Sequence, residues 1–201
     1  MSTIFRFRFP AALALGGMLA AWGLPAEAHL LNASGGAGAA QGFAHPFSGL
    51  DHILAMVAVG LWAAQIGKRA LWVLPVVFPL AMALGGLLGM NGVAVPAIET
   101  GIGASVVLLG LLIALTARPP LPIAVAVVAV FAIFHGHAHG TELPQTASPL
   151  LYGLGFVTAT AALHMIGLVI GQVLKLPKGQ IAVRIGGGAI AATGAFLLPL
   201  M

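Results

Sequence analysis

Apolar residues gather into long runs along this chain, and polar residues interrupt them only at intervals. Six runs stand at approximately 46–66, 70–90, 94–116, 120–139, 149–174 and 181–200. Each is close to the ~20 residues that an α-helix needs to cross a hydrocarbon core of about 30 Å. The breaks fall at Lys68-Arg69, Asn91-Gly92, Arg118-Pro119-Pro120, Thr141 to Pro149 and Leu176 to Gly179, where charge or turn chemistry stops a helix. The pattern predicts an all-α fold: a polytopic membrane bundle of six transmembrane helices over residues 45–201.

The start of the chain reads differently. Arg6 and Arg8 precede an apolar run from Phe9 to about Leu24, and Ala26-Glu27-Ala28 follows. A basic start, a short apolar stretch and a small-x-small site are the marks of a secretory signal peptide, so residues 1–28 are expected to be removed and His29 to become the first residue. An uncleaved first transmembrane helix is the alternative. Residues 29–44 contain the small, glycine-rich run LNASGGAGAAQG, which has too little apolar area to offset its ordering entropy, and are expected to form a flexible extracytoplasmic lead-in. The Asn32-Ala33-Ser34 sequon is read as chance.

Composition narrows the class. Only 6% of the 201 residues are charged and 60% are apolar, with a mean hydropathy of +1.10. A soluble domain carries roughly a quarter charged residues, so this surface faces lipid rather than water. The pI near 10.4 rests on a net charge of +4 without a basic cluster interleaved with aromatics, and no nucleic-acid partner is expected. The absence of Cys excludes disulfides, thiolate metal sites, iron–sulfur ligation and a lipoprotein anchor. With the new amino terminus outside the cytoplasm, Lys68, Arg69, Arg118, Lys175, Lys178 and Arg184 all fall on the cytoplasmic side, as the positive-inside rule requires, and the carboxyl terminus lies outside.

The polar residues left inside the runs carry the chemistry. An ionisable side chain within a span costs about 2.5 to 3.5 kcal/mol on insertion scales, so its presence is a functional hypothesis by default. The set is His45, Asp51, His52, Glu99, His135, His137, His139, Glu142 and His164, with no Lys or Arg placed to pair the carboxylates. A divalent cation would supply the missing positive charge. His45 and His52 are two helical turns apart with Asp51 beside them, and Met56 one turn on is either a thioether donor or packing. His135, His139 and Glu142 follow at i, i+4 and i+7 and share a face if the helix persists, while His137 points elsewhere and Gly136 and Gly140 make the region pliable. Both groups fall at the extracytoplasmic end; Glu99 is in the outer half of the third span and His164 near the middle of the fifth. The bland alternative is that the histidines bond backbone carbonyls or one another, with His137 and His139 in a wet loop mouth. His29, with a free amine and an imidazole, is a candidate for first capture of the ion. Imidazole and carboxylate suit Ni²⁺, Co²⁺, Zn²⁺ and Cu²⁺, and the residues do not choose among them.

Two stretches carry a resemblance. His45-Pro46-Phe47-Ser48-Gly49-Leu50-Asp51-His52 matches the HPxxGxDH pattern of the HupE/UreJ family of hydrogenase and urease accessory proteins, and Phe134-His135-Gly136-His137-Ala138-His139-Gly140-Thr141-Glu142 is similar to that family's FHGxAxGxE motif. The resemblance implies a bacterial inner-membrane permease that brings Ni²⁺ from the periplasm toward nickel-enzyme maturation, with both mature termini periplasmic. By motif it implies functional roles for His45, Asp51, His52, His135 and Glu142; Glu99 and His164 rest on the physical argument alone. Nickel would be cargo, with no permanently bound cofactor, and Co²⁺ or Zn²⁺ are the other candidates.

The remaining motifs read plainly. Gly85 with Gly89 and Gly167 with Gly171 are GxxxG pairs, suited to close helix contact inside the bundle or between subunits of a homo-oligomer. Gly186-Gly187-Gly188 has no preceding strand and is not a nucleotide loop. Pro75 and Pro79 are expected to kink the second span. There is no internal repeat and no segment for ATP hydrolysis, and the chain is not expected to be an enzyme. The rivals to a permease are a membrane-embedded metalloenzyme with Glu142 or Asp51 as base, and a metal-binding accessory protein that does not transport.

Overall fold

The computed structural model describes residues 37–143 and 148–200. The expected signal peptide, His29 and the beginning of the lead-in lie outside the described residues. The described residues are helical throughout their ordered elements and contain no strand. In chain order these are α1 (Ala37–Ala44), a 3₁₀ turn (His45–Phe47), α2 (Leu50–Ile66), α3 (Ala70–Met90), α4 (Ile98–Ala114), α5 (Leu121–Thr141), α6 (Pro149–Ile170) with a 3₁₀ extension (Gly171–Lys175), and α7 (Gly179–Leu197) with a final 3₁₀ turn (Leu198–Leu200).

Three expectations change. The lead-in, expected to be flexible through residue 44, is a helix over Ala37–Ala44. Glycine is a poor helix former, but here its missing side chain permits packing: a Cβ on Gly42 would overlap the Tyr152 backbone, and one on Gly155 the Ala39 carbonyl. The first expected span is broken, with Gly38–Phe47 and Leu50–Ile66 bent by 82°. Pro46 lacks an amide hydrogen and Gly49 is extended at φ −110° and ψ 126°, so the helix restarts in a new direction. The third span contracts to the 17 residues of α4, between left-handed residues at Ala97 (φ 55°) and Thr116 (φ 58°). Its rise is about 26 Å, short of a hydrocarbon core of about 30 Å.

Four helices are long and apolar enough to cross a membrane: Ala70–Met90, Leu121–Thr141, Pro149–Lys175 and Gly179–Leu200. Counting the bent pair as one span makes five. Their outward residues include Trp72, Leu80, Ile185 and Phe196, each about two-thirds exposed or more. Such a surface is stable against lipid and not against water.

Helix α2 is the axis of the bundle. From Ala55 to Ala63 every residue but Val57 is buried, because α3, α4, α6 and α7 all pack around it. Met56 belongs to this apolar core, so its thioether is packing. The most extensive contacts pair α3 with α5, α4 with α7 and α2 with α6. In the first pair the backbones meet directly. A Cβ on Gly85 or Gly89 would strike the Ile133 or His137 carbonyl, and one on Gly136 or Gly140 would strike the Met82 or Gly86 carbonyl. Gly136 and Gly140 thus fix the helix that carries the histidines rather than loosening it. Both GxxxG pairs are used within the chain, since Gly167 and Gly171 seat on α2 at Val57 and Ala64. Helix α3 runs unbroken through Pro75 and Pro79.

One end of the bundle is closed by donors. Trp62 Nε1 donates to the Ala117 carbonyl at 2.9 Å, Gln65 Nε2 to that of Ile113 at 3.0 Å, and Arg184 Nε to that of Ala114 at 2.9 Å. The carbonyls at a helix carboxyl end lack intrahelical partners and carry partial negative charge, so Gln65 and Arg184 cap the last residues of α4 and Trp62 holds the turn that follows it. The turns holding Lys68, Arg69, Arg118, Lys175 and Lys178 lie at this same end. The histidines lie at the other.

Candidate metal centre

The break between α1 and α2 builds half of the centre. Ser48 donates to the His45 carbonyl twice, from its amide at 2.9 Å and from Oγ at 2.6 Å, which holds the turn that presents His45. A Cβ on Gly49 would stand 2.7 Å from Asp51 Oδ1 and 2.8 Å from His52 Nδ1. Glycine at that position leaves room for the next pair: Asp51 Oδ2 lies 2.7 Å from His52 Nδ1. The carboxylate also sits in the first turn of α2, where the helix dipole favours negative charge.

Helix α5 supplies the other half. It persists to Thr141, and the Glu142 amide still bonds the Ala138 carbonyl at 3.0 Å, so His135, His139 and Glu142 keep their shared face. His139 Nε2 is 2.9 Å from His52 Nε2. The His139 ring stands 4.7 Å, centroid to centroid, from both His45 and His52, and His52 is 5.0 Å from His135. His45, His139 and Glu142 each offer a ligand atom within 4.8 Å of the others. The result is a ladder of imidazoles, with Glu142 at its mouth and His135 at its buried foot.

The hydrogen-bond partners fix where protons sit. A carboxylate only accepts, so neutral His52 carries its hydrogen on Nδ1, toward Asp51, and turns a lone pair at Nε2 toward His139. His139 then donates from Nε2, and its buried Nδ1 is without a partner. Ser105 Oγ spends its hydrogen on the Ile102 carbonyl at 2.6 Å, so it accepts from His135 Nε2 at 3.0 Å. That leaves His135 Nδ1 as a second buried lone pair with no partner. A buried, unsatisfied acceptor costs about 1–3 kcal/mol, which a cation would relieve. One proton closes the His52–His139 contact as a hydrogen bond. Two cis donors on one octahedral ion at about 2.1 Å would stand about 3.0 Å apart, nearly the same spacing.

The other sequence-derived candidates fall outside this ladder. His137 is buried but donates from Nε2 to the Val93 carbonyl at 2.7 Å, pinning the α3–α4 loop to α5. Neither His137 nor His139 is in a wet loop mouth, since both are buried within α5. Glu99 is exposed in the first turn of α4 and makes no hydrogen bond or ion pair with the histidines among the described residues. His164 is deeper on α6, and the Phe78 ring lies between it and the ladder, 6.0 Å from His135 and 5.1 Å from His164. Sequence reasoning passed over Ser105 and Phe78. Ser105 is a hydroxyl in an otherwise apolar run, the signal by which it was open to detection. Phe78 has no such signal, for its role depends on which rings it separates.

Asp51, Glu99 and Glu142 make no ion pair with Lys or Arg among the described residues. Beside the ladder an apolar cavity of about 430 Å³ opens between α3, α5 and α6, walled by Met82, Met90, Tyr152, Phe156 and His139. His45, His139 and Glu142, with His52, Asp51 and His135 next along the ladder, offer the imidazole and carboxylate donors that suit a borderline divalent transition metal.

Comparison with known proteins bears out the resemblance carried by the two motifs. The family described as HupE / UreJ protein matches residues 15–197. The chain is also similar to Protein HupE of Rhizobium leguminosarum bv. viciae, at 47% identity over 180 residues, covering 90% of this chain and 94% of that one. No solved structure matches.

Proposed function

The chain belongs to the HupE/UreJ family, and on that premise we propose that it is a permease carrying a divalent transition-metal ion, Ni²⁺ foremost, from the periplasm to the cytoplasm for hydrogenase or urease maturation. The family is one of accessory and transport proteins rather than a known enzyme family. In this reading α2 and α4 also cross the bilayer, which gives six spans with the cations cytoplasmic and both mature termini periplasmic in the inner membrane. The short α4 is accommodated by local thinning of the bilayer.

The observation that carries the reading is the imidazole ladder, His45–His139–His52–His135, with Asp51 and Glu142 beside it and, among the described residues, no Lys or Arg paired with them. The hydrated ion exchanges water for His45, His139 and Glu142 at the mouth, then for His52 and His135 below. Glu99 adds negative charge on the same side, and His29 and His137 serve as capture and loop support. Moving two positive charges inward across 100 mV gains roughly 4.6 kcal/mol, enough for facilitated diffusion without a coupling ion.

Nickel uptake into proteoliposomes holding the purified protein tests this. Accumulation driven by an inward-negative potential and lost in Asp51→Ala and His52→Ala is the expected result. Tight binding without accumulation would instead make the protein a non-transporting metal-binding accessory.

A further inference from the structure

Deeper in the bundle a second group of polar atoms is left unsatisfied. Thr160 and His164 lie one turn apart on α6, buried to 0% and 1% exposure, and neither the Thr160 hydroxyl nor either His164 ring nitrogen has a hydrogen-bond partner. The hydroxyl of Thr158, two residues earlier, bonds back to its own helix at the Leu154 carbonyl at 2.8 Å; Thr160 does not take that option. Across from them is α3. Residue 79 is proline and cannot donate, so the Pro75 carbonyl loses its regular partner one turn on. Pro75 stands three residues before Phe78, whose ring is 5.1 Å from that of His164, and among the described residues no hydrogen bond closes between the carbonyl and the imidazole. An imidazole and a hydroxyl one turn apart on α6 thus lie where α6 packs on α3, and α3 carries the freed carbonyl one turn before Phe78.

We propose that His164, Thr160 and the Pro75 carbonyl form a second, inner binding site for the same divalent transition-metal ion. This rests on the permease reading for its role and on the orphaned donors for its existence. The donor set differs from that of the outer ladder in one respect: it contains no carboxylate. Neutral N and O ligands bind the ion more weakly than a set with Asp51 and Glu142. Passage through a pore requires sites that hold an ion well enough to admit it and loosely enough to release it. The outer site captures, and the inner one receives the ion part-way across and gives it up toward the cytoplasm. Pro79 of α3 is then part of the site, because it frees the carbonyl that completes it.

Co²⁺ binding to the purified full chain in nanodiscs, followed by its visible absorption and by equilibrium dialysis, tests the proposal. Wild type is expected to show two classes of site. Thr160→Val, which keeps the side-chain volume, and His164→Leu each lose the weaker class and keep the tighter; Asp51→Ala loses the tighter and keeps the weaker. In proteoliposomes Thr160→Val is expected to lower the maximal nickel uptake rate by about fivefold, with the half-saturating concentration changed less than about twofold, since entry is set by the outer ladder. The proposal is overturned if Thr160→Val binds Co²⁺ like wild type, or if wild type shows only the class that Asp51→Ala removes. Should His164→Leu fail to elute as a monodisperse protein, Thr160→Val decides alone. If wild type shows both classes and transports no nickel, the inner site stands and the permease reading falls.

Discussion

The two ends of the bundle handle polar groups in opposite ways. At one, Gln65 and Arg184 donate to the last carbonyls of α4 and Trp62 to that of Ala117 in the turn beyond it. Those donors tie the fold together, and among the described residues Gln65 Oε1 is the one buried side-chain atom left over at this end. At the other, among the described residues, His135 and His139 keep ring nitrogens without partners, and Asp51 and Glu142 pair with no Lys or Arg. Polar groups in an apolar setting are paired when their purpose is structural. The excess capacity at the histidine end is what a ligand would use, and the satisfied end shows that this sequence can pair its polar groups where pairing is the purpose.

The contrast can be broken at several depths. Gly136→Val places a side chain against the Met82 backbone and should separate α5 from α3. Overpacking of this kind costs about 1–3 kcal/mol or more, so both ends are expected to fail together: lower thermal unfolding temperature in detergent and no uptake. Gly49→Ala acts on the histidine end alone. It pushes on the Asp51–His52 pair and should reduce nickel uptake by about 10–100-fold, the range seen when support of a metal ligand is lost, with little change in melting temperature. Ser105→Ala removes the acceptor that fixes the His135 tautomer and should lower uptake about three- to tenfold, in line with a hydrogen bond worth about 1 kcal/mol. Arg184→Ala, at the satisfied end, should leave uptake within about twofold of wild type and reduce thermal stability slightly, because an exposed cation at a helix terminus contributes little. If Arg184→Ala impaired uptake more than Ser105→Ala did, the division of labour between the ends would be wrong.

Much of this was readable beforehand because it is local. Four of the six apolar runs became helices long enough to cross a membrane, while the first broke near Pro46 and Gly49 and the third contracted to 17 residues; the spacing of His135, His139 and Glu142 gave their common face as soon as α5 reached Thr141. Residues 37–44 were misjudged because their helix depends on Tyr152 and Gly155, more than 100 positions away. The 82° bend was hidden for a different reason: Pro46 and Gly49 announce a break but not its direction. His139 stands at a variable position of its motif, yet it is the ring that touches both His45 and His52. Only the packing of α1, α2 and α5 together makes it central.

The pairing of helices bears on how the chain is assembled. Helix α2 has its main partner in α6, α3 in α5 and α4 in α7, so no long helix finds its principal neighbour in the one made next. Emerging in order, α2 and its polar His52 must wait for α5 and α6, and α4 for the last helix of all. A stop after Lys175 would strand α4 without its principal partner while leaving the α3–α5 and α2–α6 pairs complete. The histidine ladder, carried by the His45 turn, α2 and α5, can therefore close before the last helix arrives to lock α4 in place.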